Sequence, residues 1–87
     1  MVDVQSYKEI EIEVVEGLKE KLLGSPACVD ISDRKIYLDS DVEGVYKRLV
    51  LIHEILEIWL HGRVKHSKID RIALDIIDVL RKEGELE

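Results

Sequence analysis

Two periodicities compete near the start of the chain. Tyr7, Ile10, Val14, Leu18 and Leu22 recur every three or four residues, the stripe of an amphipathic helix. Ser6 and Glu9 stand at the reciprocal positions of a capping box, and Gly24 and Pro26 supply a stop. Within the same stretch Glu9-Ile-Glu-Ile-Glu-Val alternates strictly, as a half-buried strand does. The longer stripe and its caps predict a helix, with Gly17 as its weak point. Residues 27–32 and 35–39 then read as the arms of a β-hairpin joined by Asp33-Arg34. Val29 and Ile31 share one face of the first arm, Ile36 and Leu38 one face of the second. Cys28 falls on the other face, where a small half-buried residue is ordinary.

Asp39-Ser-Asp offers N-caps for a second helix running to about His61, which Gly62 ends. A short basic loop, Arg63 to His66, follows. Ser67 and Asp70 form another capping-box pair, opening a last helix to about Lys82. Its apolar stripe is Ile69, Ile72, Ala73, Ile76, Val79 and Leu80. The pattern predicts one α+β domain over residues 1–87: helix, hairpin, helix, helix.

The second helix is nearly all apolar from Leu49 to Leu60, so it should be central, with Leu56 in the core. Its polar side chains are grouped. With His53 at zero, Glu57 lies at about 40°, His61 at about 80° and Glu54 at about 100° around the axis. The i, i+4 spacing brings His53 and Glu57 close enough to share one metal ion. Glu54 beside them is placed to deprotonate a metal-bound water, the division of labour in a His-Glu-x-x-His helix. A plain solvent face accounts for the same positions, since Glu43 and Lys47 project into that sector too. His61 is two turns from His53 and a poor third ligand. His66 is better, because Gly62 breaks the helix and a short loop can return that imidazole over the wedge.

Composition narrows the choices. A net charge of −6 disfavours nonspecific nucleic-acid binding, and the basic cluster from Arg63 to Lys68 is too short to offset it. The lone Cys28 permits no internal disulfide and no multi-cysteine metal site. No run of apolar residues is long enough for a membrane span, and the first residues lack the features of a signal peptide, so a cytoplasmic protein is expected. Asn and Thr are absent, and Ile, Val, Glu and Lys are abundant, a usage shared with thermophilic proteins.

From Gly24 to Leu80, about two thirds of the chain, the order of parts resembles small zincin-like proteins of phage and prokaryotic genomes, relatives of the minigluzincin peptidases. The matching parts are a glycine, a polar hairpin, the run Leu51-Ile-His-Glu-Ile-Leu-Glu-Ile-Trp, and then Val64-Lys-His-Ser-Lys-Ile opening a final helix. The resemblance implies a minimal zincin-like fold, one zinc ion on His53, Glu57 and His66, and Glu54 as general base. It also implies that the strand from Lys35 to Leu38 is the edge along which an extended peptide lies. Glu57 departs from the pattern, since standard zincins carry histidine there. A carboxylate ligand lowers the positive charge on the ion and should weaken its activation of water. His61 and Tyr46 are the available candidates for oxyanion stabilisation.

Two functions fit these residues. One is a zinc-dependent metallopeptidase-like hydrolase acting on a peptide or protein. The other is a non-catalytic module, with or without a structural metal, that presents a helix face to a protein partner. Trp59 and Tyr46 suit such an interface, although Trp59 on so apolar a helix also suits the core.

Overall fold

A computed structural model describes residues 9–85. The expected α+β class is what it has: a three-stranded mixed sheet and three helices. In chain order these are β1 (Glu11–Val15), α1 (Leu18–Lys21), β2 (Ala27–Asp30), β3 (Lys35–Asp39), α2 (Gly44–Leu60) and α3 (His66–Lys82). The strand order is β1-β3-β2, with β1 parallel and β2 antiparallel to the central β3. Among the described residues no helix is long and apolar enough to cross a membrane.

The first segment departs from expectation. Of the predicted helix only α1 remains; the alternating residues before it form β1, and the cap at Ser6 and stripe residue Tyr7 lie outside the described residues. Pairing with β3 decides the contest. Ile12 lies opposite Ile36 and Val14 opposite Leu38, so the apolar half of the alternation shares a face of the sheet with two buried residues while remaining exposed itself. The acidic half faces away, where Lys35 Nζ meets Glu13 Oε1 at 2.9 Å. Gly17 then takes a left-handed φ of 74°, cheap for glycine alone, and turns the chain into α1.

The hairpin is shorter than expected. β2 ends at Asp30, and four residues, 31–34, make the connection. With no glycine available, Arg34 adopts the left-handed conformation at φ 52°. The Asp30 carboxylate organises the turn by accepting from Ser32 Oγ at 2.9 Å and from the Asp33 N–H at 3.1 Å. The strand order also corrects the expected substrate edge: β3 is central and paired on both sides, so its backbone cannot receive a peptide. The edge strand beside α2 is β2.

α2 packs on β2 and α3, while α1 packs on β3. The core joins Ile36 and Leu38 of the sheet, Val50 and Ile58 of α2, and Ile69, Ala73 and Ile77 of α3. Ile77 rather than Val79 completes the buried face of α3, and Val79 is exposed. Leu56 is only half-buried, so it is not the anchor expected of it. Asp39, at the end of β3, is buried and accepts the N–H groups of Lys19 at 2.6 Å and Asp41 at 2.8 Å. These two donors, Asp41 first, hold its carboxyl below the usual range. Ile36 is fully buried. Ile36→Val should therefore cost about 0.5–1.5 kcal/mol, read as a lower urea midpoint at unchanged slope.

Candidate metal centre

Beside the sheet, α2, α3 and the β2 edge enclose an open cleft of about 750 Å³. Its floor is the wedge of α2 picked out by helical spacing. His53 and Glu57 point into it from successive turns, and His66 enters from the start of α3. The link that makes this possible is the short loop after α2, where Gly62 takes a φ of 76° and reverses the chain. One ligand atom from each of His53, Glu57 and His66 lies within 4.8 Å of the others. His66 Nδ1 is 2.6 Å from Glu57 Oε1, and His53 Nε2 is 3.5 Å from the same oxygen. The two imidazole rings meet edge to face with centroids 4.7 Å apart. A tetrahedral zinc ion with bonds of about 2.1 Å separates its donors by about 3.4 Å. Setting the three donors around one ion thus means opening the His66–Glu57 pair and closing the widest gap, shifts of about an ångström that side-chain rotation can supply. Two imidazoles and a carboxylate are also a donor set that zinc accepts.

Asp70 is the residue that spacing did not single out. Its Oδ1 lies 2.8 Å from His53 Nδ1 and 3.8 Å from His66 Nε2. A proton on His53 Nδ1 makes the shorter contact favourable and leaves Nε2 bare, facing Glu57. Metal-binding histidines typically present their second nitrogen to a carboxylate in this way. The capping-box reading had already used Asp70. In fact α3 starts two residues earlier than expected, at His66, with Lys65 rather than Ser67 as N-cap and no side-chain cap hydrogen bond. Asp70 is therefore free to reach across to α2. The available signal was the i, i+4 spacing of His66 and Asp70, the same spacing that joins His53 to Glu57.

Glu54 is buried at 9% exposure and is not among the three clustered ligands. Its carboxyl is pushed up to about 7, first by burial and then by the negative charge of Glu57, with His66 opposing. Cys28 lines the same cleft from β2, half-buried as expected, and burial followed by Glu54 raises its thiol above the ordinary value. It stays a thiol at neutral pH and is a poor nucleophile. His61 stands outside the cluster with Nδ1 4.0 Å from Glu57 Oε2, and Tyr46 lines the cleft from the first turn of α2. Trp59 is on the far side of α2, half exposed under the Arg34 guanidinium, so the core position is not where it lies.

Comparison with protein-family models, with curated proteins and with solved structures gives no match.

Proposed function

We propose that the chain is a zinc-dependent hydrolase of metallopeptidase-like type, with His53, Glu57 and His66 as ligands and Glu54 as general base. The observation that carries this reading is Asp70 at 2.8 Å from His53 Nδ1. A plain solvent face has no use for a carboxylate that fixes which nitrogen of a clustered histidine stays bare. Bound zinc would supply a Lewis acid that acidifies water and polarises a carbonyl. Glu54, held in a buried setting at the edge of the cluster, takes the proton of the attacking water on its carboxylate and returns it to the leaving amine. Asp70 orients His53. The open edge of β2, which lines the cleft, offers backbone groups to an extended peptide by strand addition. The small zincin-like proteins that the sequence resembles are the source of the peptide assignment.

Purified protein reconstituted with zinc should hold about one ion per chain by elemental analysis. His53→Ala should abolish that uptake, and Asp70→Ala should weaken it about 10–100-fold while leaving all three ligands in place. Absence of zinc uptake by wild type sinks the reading. A second reading, a non-catalytic module, is favoured by one feature: the 2.6 Å contact of His66 with Glu57 already satisfies both groups without an ion. Metal uptake without zinc-dependent hydrolysis of any peptide in a mixed-sequence library would select it.

A further inference from the structure

Among the described residues the other edge of the sheet, β1, is unpaired too, and it carries a different pattern. The Glu11 N–H donates to the Arg34 carbonyl at 3.0 Å, and the Ser40 N–H donates to the Val15 carbonyl at 3.1 Å. In a parallel ladder this commits the backbone groups of Glu11, Glu13 and Val15 to β3 and turns those of Ile12 and Val14 outwards. Among the described residues no strand pairs with that outer edge. Ile12 and Val14 also remain 54% and 58% exposed, although they share the covered face of the sheet with Ile36 and Leu38. The cause is that α2 lies chiefly over β2, on the other side of β3.

α2 extends this bare apolar strip. Leu51, Ile55 and Trp59 stand at about 160°, 200° and 240° from His53, opposite the cleft. Leu51 packs on the cluster that contains Leu38, at one end of β3. At the other end Arg34, whose carbonyl receives the Glu11 N–H, holds its Cζ 5.0 Å from the centroid of the Trp59 ring. The stripe therefore runs between the two ends of β3, the strand that pairs with β1, and Ile55 and Trp59 leave 38% and 48% of their surface uncovered. The opposite face of β1 is acidic. Glu11 and Glu13 project from it, and Glu9 and Glu16 flank the strand, in a run of eight residues that contains no cation. Among the described residues only Glu13 of these has an ion-pair partner, Lys35. Charge alone is a common guard on an edge strand. Charge on one face, an apolar ledge on the other and free backbone between them are what strand addition uses.

We propose that β1 receives a strand of a basic partner protein, an extended segment in which apolar residues alternate with Lys or Arg. The apolar side chains lie along Ile12, Val14 and Trp59, and the cations lie against Glu11 and Glu13. A second copy of this chain is a poor occupant, because β1 beside β1 sets glutamates against glutamates, which destabilises a ladder. The surface is on the opposite side of α2 from His53 and Glu57, so the proposal stands apart from the metal.

The probe is a fluorescein-labelled peptide, Lys-Val-Arg-Val-Lys-Val-Arg, titrated into the full chain, with amide exchange followed by NMR. We expect micromolar binding that weakens about tenfold or more between low and physiological salt. The Ile12 and Val14 amides should gain protection on binding. Ile12→Pro removes an N–H that β3 does not use and should abolish binding while the β3 amides stay protected. Glu11→Gln, at an exposed side chain opposite Lys35, should weaken binding with little change in melting temperature. No binding at millimolar peptide overturns the proposal, as does equal binding of Glu-Val-Asp-Val-Glu-Val-Asp. So does binding that leaves Ile12 and Val14 unprotected. Protection of those amides without peptide also overturns it: rising with protein concentration it identifies a second copy, and independent of concentration it identifies cover from within the chain.

Discussion

Glu54→Gln should leave zinc in place and remove about 10²–10⁴-fold of the hydrolytic rate, the usual contribution of a positioned base. The amide keeps the size and burial of the carboxyl and takes away only its capacity to accept a proton. Since Glu54 stands outside the cluster formed by His53, Glu57 and His66, no ligand is lost. Glu57→Gln is the matching control one turn along α2. It withdraws the charged oxygen that both His53 and His66 approach, so its first effect should be on zinc affinity. Stoichiometry by elemental analysis and turnover of a library-selected peptide, measured on both variants, give the comparison. Two variants with the same metal content and the same rate would refute the division of labour proposed for this helix.

Without metal, the same Glu54→Gln substitution should stabilise the chain at alkaline pH by roughly 3 kcal/mol. The folded carboxyl sits near 7 against an ordinary value of 4.5, because burial and then Glu57 disfavour its charge. Between those two values the folded state keeps a proton that the unfolded state has released. Stability therefore falls as pH rises through this window and is fully lowered above 7. Glutamine cannot ionise, so the variant escapes the loss. Urea titrations in a chelator should show wild type and variant nearly equal at pH 4.5 and widely separated at pH 8. A constant gap across the range would mean that Glu54 is solvated in solution.

Much of the candidate centre was legible because it depends on local spacing. His53, Glu54 and Glu57 lie on one helix, and Gly62 announced the reversal that returns His66. Asp70 was not legible, since a Ser-x-x-Asp pair at a helix start satisfies the capping pattern whether or not the cap forms. The hairpin followed from its own alternation, but its length was set by the Asp30 side chain and by Arg34 in a conformation that the sequence gives no reason to expect there. The first strand was lost for a different reason. Residues 9–14 satisfy both a helical stripe and a strand alternation, and only a partner far along the chain breaks the tie. Trp59 was misplaced because the apolar run of α2 implied cover on every side, whereas α2 sits off-centre over the sheet.

The pairing of β1 with β3 also orders the assembly of the molecule in time. Asp30 meets Lys35 across five residues, and α2 meets α3 across a short loop. Glu11 meets Lys35 only by closing a far longer segment, which contains α1 and β2. The entropy of loop closure grows with length, so the hairpin and the helix pair should form ahead of the parallel ladder. All the walls of the cleft belong to the early group. The acidic edge strand should therefore join last and, with its apolar side chains half in water, detach first, which amide exchange would show as the weakest protection in the sheet. Slow opening of that edge can then proceed in a molecule whose histidine cluster is already built.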